Sequence, residues 1–286
     1  MKLYDFKIMK NTTLFCLIVF LFNSCSTDDS TSNNQINSAV DYFPNEIGNI
    51  WNYNVENISQ SNPELNTNTV DVVSIESSNE SSFSLDVNNG EIANGTTNSI
   101  FSNGTFLVNT ETLIFNGDLS LLSSLEIFQD FEIAFTDFVV YDINATLNTE
   151  LYFSEDTIEQ EVDLGEQVIP FLLEYNLSNT HITYLNSLNV NEFEYNDIIQ
   201  TEIKLNLSVS AVFDLGIPIT QSILNTQDVL VINNYYAKDV GLIKSVAIQE
   251  FTLNPTFITL LNTLGIDIDF PTSLEVENTQ NLDSYF

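Results

Sequence analysis

Apolar and polar side chains alternate with a period of two over much of this sequence, and that rhythm suits β-strands rather than helices. Trp51, Tyr53 and Val55 share one face of an extended segment, with Asn52, Asn54 and Glu56 on the other. Phe83, Leu85 and Val87 repeat the pattern and run into Asn88-Asn89-Gly90, where residues that tolerate positive φ predict a hairpin turn. Asn103-Gly104 predicts another, between Ile100-Phe101 and Phe106-Leu107-Val108. Ile203, Leu205, Leu207 and Val209 alternate with Lys204, Asn206 and Ser208, and further strands are expected at 229–232 and 246–248. Many strands joined by Asn/Gly turns imply an all-β, mainly antiparallel architecture.

Two segments depart from this period. Asn254-Pro255, then Phe257, Ile258, Leu260, Leu261 and Leu264, then Gly265, supply a cap, a first-turn proline, helical spacing and a terminating glycine. Residues 118–130 place Leu121, Leu125 and Phe128 at helical spacing. One or two short helices are thus expected to cover the sheet or plug its ends.

The N-terminus speaks of export. Leu14 to Phe22 is an unbroken apolar run behind Lys2, Lys7 and Lys10. Nine helical residues cover about 14 Å against roughly 30 Å of bilayer hydrocarbon, so the run reads as a signal-peptide core over residues 1–24, with Met9-Lys10 the more usual start. It ends Leu21-Phe22-Asn23-Ser24-Cys25, and a small residue before a cysteine resembles a bacterial lipobox. The resemblance implies that Cys25 is acylated and becomes the mature N-terminus, with the lipid bilayer as its partner. The other cysteine, Cys16, lies inside the signal, so the mature chain has no internal disulfide. Two or three acyl chains, at about 0.8 kcal/mol per buried CH₂, anchor stably where one does not. Ser26-Thr27-Asp28-Asp29 resembles the surface-export signal of Bacteroidota lipoproteins, within a polar tether spanning 25–41. Together these place the chain at the outer membrane and exposed on the cell surface, or alternatively facing the periplasm.

Six lysines, no arginine and 40 carboxylates give a formal charge of −34. Nucleic-acid binding needs a basic stripe to displace counterions, and docking on anionic lipid needs a basic patch; three scattered mature lysines supply neither. The 43% hydrophobic content still permits a core, and no second polar linker interrupts 42–286, which reads as one domain.

Catalytic signatures are missing from the sequence. There is no G-x-S-x-G elbow, phosphate-cradling glycine loop, H-E-x-x-H or paired C-x-x-C, and neither a cofactor nor a metal is implied. His181, between Thr180 and Ile182, is read onto the polar face of a strand, without the nucleophile and orienting partner a base requires. Glu192 and Glu194 read as neighbours on one strand face, roughly 7 Å apart, whereas a glycosidase pair must flank its bond from opposite sides. Asp267 and Asp269 lack calcium-loop spacing around them.

Two separated segments carry a resemblance. Phe43-Pro44-Asn45-Glu46-Ile47-Gly48-Asn49-Ile50-Trp51-Asn52-Tyr53 has the form F-P-x-x-x-G-N-x-W-x-Y, and Tyr236-Ala237-Lys238-Asp239-Val240-Gly241-Leu242-Ile243-Lys244 has the form Y-A-x-x-V-G-x-I-K. The pair resembles a group of uncharacterised Bacteroidota lipoproteins whose sheets are similar to the half-barrels of LolA-like carriers. The 193–209 stretch and 279–285 fit that group's order, while 110–170 and 254–270 look particular to this chain. The resemblance implies a strongly curved sheet, a half-barrel or open barrel or sandwich. It implies no chemistry for the motif residues, which read as structural: Pro44 and Gly48 shape a turn, Trp51 and Tyr53 supply buried rings, Gly241 suits a bulge or close approach, and Lys244 is expected to meet a cross-strand carboxylate. The function expected first is a non-enzymatic, membrane-anchored binder or carrier of an apolar or extended ligand. The alternative is an interaction module of an adhesion or glycan-uptake complex burying Leu119 to Phe131 in a partner. A polysaccharide-acting enzyme, with two carboxylates across a cleft, comes third.

Overall fold

The computed structural model describes residues 38–119, 133–163, 168–214, 217–264 and 271–286. Cys25, Ser26, Thr27, Asp28 and Asp29 lie outside the described residues, as do Asp267, Asp269 and all but the first two positions of the 118–130 segment. Those two, Asp118 and Leu119, close a strand.

Twelve strands form one antiparallel sheet: β1 (Ile50–Ile58), β2 (Thr67–Ser78), β3 (Ser82–Val87), β4 (Gly104–Val108), β5 (Thr112–Leu119), β6 (Ile133–Asp142), β7 (Thr149–Asp163), β8 (Val168–Val190), β9 (Phe193–Asp214), β10 (Pro218–Ala237), β11 (Gly241–Thr252) and β12 (Ser273–Tyr285). Two helices interrupt the series, α1 (Thr96–Phe101) and α2 (Pro255–Leu264). The spatial order β6-β5-β4-β3-β2-β1-β12-β11-β10-β9-β8-β7 makes every ladder a sequence neighbour except β1–β12, which joins the two ends of the chain. The sheet is thus an up-and-down meander wrapped into a nearly closed barrel, and its seam falls between β6 and β7. Side chains bridge that seam. Asn179 on β8 donates from Nδ2 to the Val139 and Val140 carbonyls of β6 at 2.6 and 2.9 Å, and the Tyr184 hydroxyl donates to the Asp142 carbonyl at 3.2 Å. Carbonyls at this edge thereby gain donors without a ladder.

The alternation read from the sequence turns apolar rows inward on strands such as β1, β3, β5 and β9. Phe83 and Phe106 stack at 4.7 Å, Phe43 packs on both, and Phe101, Phe115, Phe135 and Phe138 continue the aromatic core. Phe101 belongs to α1, which corrects the expected Asn103-Gly104 hairpin: Ile100 and Phe101 are helical and buried. Asn88-Asn89-Gly90 does turn the chain, with φ of 54°, 58° and 84°, but into the loop before α1 rather than straight into β4. Local turn chemistry is legible in the sequence; the insertion of a small buried helix between β3 and β4 is not.

The packed body also begins earlier than the expected tether ended. Ala39–Tyr42 forms a turn of 3-10 helix; Ala39 is fully buried, its carbonyl accepts from the Tyr141 hydroxyl at 2.9 Å, and Tyr42 meets Tyr141 edge to face.

Candidate functional site

The two resembling motifs meet. β1 and β11 flank β12, and on the inner face Trp51 and Tyr53 reach across it. The Trp51 indole donates to the Val240 carbonyl at 2.6 Å and the Tyr53 hydroxyl to the Leu242 carbonyl at 2.7 Å. Gly241, between them, has φ +106°, and a Cβ there would stand 3.2 Å from the indole nitrogen. Tyr236, Ala237 and Phe43 are buried, Pro44 is partly covered, and Gly48 occupies the exposed entry turn at φ +108°. Lys244 is a correction: it faces Tyr235 and Asn281 across its ladders rather than a carboxylate, whereas Lys204 pairs with Glu202 and Asp228. The motif pair is therefore a latch holding the first strand to the hairpin of β10 and β11.

Beside this latch lies a buried polar assembly that the sequence reading did not find. Asp71 on β2 is fully buried, and its carboxylate accepts five hydrogen bonds. Oδ1 takes Asn88 Nδ2, Asn94 N and Asn94 Nδ2 at 2.9, 2.9 and 2.8 Å; Oδ2 takes Gly95 N and Asn98 Nδ2 at 2.8 and 3.0 Å. Burial alone pushes this carboxyl up, but the donors from Asn94, Asn98, Asn88 and Gly95 together hold it below its usual range. The first N–H groups of α1 are capped from β12: Asn278 Oδ1 accepts from Thr96 N at 2.9 Å and Gln280 Oε1 from Thr97 N at 2.7 Å. Gly95 permits that approach, since a Cβ there would fall 2.3 Å from Gln280 Cδ. Thr97 Oγ1 then bonds Ser245 Oγ at 2.7 Å and donates to Asn234 Oδ1 at 3.2 Å.

From Gln280 the polar side chains continue around the barrel wall in register. Gln280 pairs with Ser245, Ser245 with Asn234, Asn234 with Thr201, and Thr201 with His181, one residue per strand from β12 to β8. All five are fully buried. His181 is thus corrected from the solvent-facing side to the interior. Its phase follows Phe171, Leu173, Tyr175 and Leu177, and a bulge at Ile182 shifts the register beyond it, so Ile182 and Tyr184 are the wrong guides. Neither imidazole nitrogen makes a hydrogen bond within the protein, and burial pulls the ring below its ordinary pKa, against a smaller opposing pull from Asp142. Thr201 Oγ1, Asn234 Nδ2, Gln280 Nε2 and Asn179 Oδ1 are likewise unbonded. The Tyr236 hydroxyl approaches Thr201 and Asn234 without closing a bond to either.

Above this row the same inner face turns apolar, with Tyr175 its one hydroxyl-bearing residue on β8. On β8 it presents Phe171, Leu173 and Leu177, on β9 Leu205, Val209 and Phe213, each almost fully buried. α2 lies at the far end, with Phe257 and Leu261 turned inward, Phe257 against Phe213, and Thr256, Thr259 and Asn262 exposed. Its first turn is fixed by Asn254, whose Oδ1 accepts from Thr256 N at 2.8 Å and whose backbone N–H donates to the Ile223 carbonyl. This is the helix expected from the cap, proline and spacing.

The outer face carries a shallow polar groove of about 470 Å³ bordered by Glu155, Glu174, Asn206 and Ser208. Glu155 and Glu174 stand two residue pairs apart on adjacent strands, diagonal neighbours on one surface rather than opposed across a cleft. Glu192 is a further correction: it sits in the β8–β9 turn, off the strand face where Glu194 lies. Among the described residues no three His, Cys, Asp or Glu side chains converge as metal ligands, and no helix is long and apolar enough to cross a membrane.

No protein-family model matches this chain, and no curated protein does. Among solved structures it is similar to a Bacteroides fragilis NCTC 9343 protein designated as exported and of YmcC-like fold, with 11% identity and a TM-score of 0.31, over 85% of this chain and 98% of that one. So distant a likeness assigns no family.

Proposed function

We propose that this chain is a non-catalytic binding protein of the cell envelope, tethered through acyl groups on Cys25, that takes up an apolar or extended guest against the inner wall of β8 to β10. The observation that carries the reading is the length of that wall. From Ile203 to Phe213 every inward residue of β9 is apolar, a span of roughly 33 Å. At its far end α2, ten residues long, packs on it through Phe257, a length marginal by itself in water and dependent on packing. Such a helix can yield to a guest without unfolding the ladders beneath it.

The test is equilibrium binding of the fluorescent hydrocarbon 1,6-diphenylhexatriene to the full chain carrying Cys25→Ala, together with native mass spectrometry for co-purified lipid. Saturable binding weakened by Phe257→Asp and Leu261→Asp supports the reading; no bound lipid and no saturable binding ends it. Radiolabelled palmitate should mark the natural chain and not the Cys25→Ala chain.

A further inference from the structure

The apolar wall and the buried polar row are one continuous surface. Along β8 the inward positions run Phe171, Leu173, Tyr175, Leu177 and then Asn179, His181; along β9 they run down to Ile203 and then Thr201. A wall that is apolar for its length and polar at one end matches a guest of the same polarity order. The polar end is unusual because its groups remain unused. Buried polar atoms are bonded in the great majority of cases, and leaving one unbonded is costly. Here donors (Asn234 Nδ2, Gln280 Nε2), an acceptor (Asn179 Oδ1) and groups able to do either (His181, Thr201, Tyr236) are unbonded on neighbouring strands. The other half of the assembly, from Asp71 to Thr97, is engaged in holding α1, and apart from Thr69 Oγ1 on β2 the unused capacity lies on β8–β10 and the outer atom of Gln280.

The charge of the missing partner follows from the neighbours. Lys204 and Lys244 occupy outward positions and Lys238 the β10–β11 turn, so no cation among the described residues stands on this wall. A buried anion without a counter-charge is strongly disfavoured. We infer that the row formed by His181, Thr201, Asn234 and Tyr236 receives the uncharged polar end, an alcohol or a neutral ester, of a single-chain amphiphile whose tail lies along β8 and β9. This rests on the binding reading above and adds the chemistry of the guest.

The probes are decan-1-ol and decanoate, each displacing diphenylhexatriene from the full Cys25→Ala chain at pH 8. Decan-1-ol is expected to bind at least tenfold more tightly than decanoate. Thr201→Val, which removes a hydroxyl and keeps the branch and volume, should weaken decan-1-ol by about tenfold, the worth of one lost hydrogen bond, and leave diphenylhexatriene within twofold. His181→Leu, read by the same ratio, serves if Thr201→Val loses its β-sheet circular dichroism. If diphenylhexatriene binds but decan-1-ol and decanoate compete equally, and neither variant changes their ratio, the row holds only water and the inference falls while the binding reading stands. If nothing binds, both fall.

Discussion

Asp71→Asn isolates the buried carboxylate at the centre of the polar assembly. The change keeps the size of the side chain, removes its charge and converts one acceptor oxygen into a donor amide. The less harmful orientation turns that amide toward Gly95 N and Asn98 Nδ2, so two hydrogen bonds become donor-to-donor contacts. Hydrogen bonds to charged groups contribute about 1.5–3 kcal/mol each, so the expected loss is about 3–6 kcal/mol, a large part of a typical domain's 5–15 kcal/mol. With a urea m-value of about 2–3 kcal/mol/M, the unfolding midpoint should fall by about 1–3 M. The pH dependence has a definite sign. Because the folded carboxyl is held below its ordinary range, its contribution is fully present above the unfolded pKa of about 3.9 and is lost as pH falls through the lower folded value. The gap between natural chain and variant should therefore stay constant from pH 5 to 8 and narrow below about 4. Glu91→Gln, at an exposed position, should change stability by less than about 0.5 kcal/mol. A deficit that small for Asp71→Asn, or one that widens in acid, would refute the assignment of Asp71 as the anchor of α1.

Gly241→Ala must hold φ near +106° and press a methyl on the Trp51 indole, so it should cost about 1–3 kcal/mol and shift the emission of Trp51, the chain's single tryptophan. Burial holds the His181 pKa below its ordinary value, so the unfolded chain binds a proton near pH 6.5 that the folded chain resists; stability should fall below that pH by up to about 1.4 kcal/mol per unit, and His181→Leu should abolish that component of the slope in denaturant titrations. Replacing Asp28 and Asp29 with Ala should protect the protein from protease added to intact cells, and unchanged shaving would count against a surface-export signal.

Much of the fold was legible in the sequence because the strand signal is local. A two-residue period needs only its own neighbours to place Trp51, Tyr53 and Val55 inward, and Asn254-Pro255 starts a helix through its own side chain and ring. The same local logic failed wherever a distant strand decided the outcome. α1 is six residues with no cap of its own; its N–H groups are satisfied by Asn278 and Gln280, some 180 residues away, and no local pattern announces that. His181 is misread from its C-terminal neighbours because the bulge at Ile182 breaks the alternation immediately after it, while its true phase is set by the residues before it.

The candidate site shows the division most plainly. Sequence alone determined an acidic, arginine-free, sheet-forming chain with an apolar run behind three lysines, since charge, periodicity and an apolar run are properties of residues and their nearest neighbours. Tertiary structure decided that His181, Thr201, Asn234, Ser245 and Gln280 stand side by side, for they are scattered over 100 positions and look like ordinary polar strand residues. Register is a collective property of paired strands. Only when the whole ladder is laid down do five unrelated positions become one row, sealed from water.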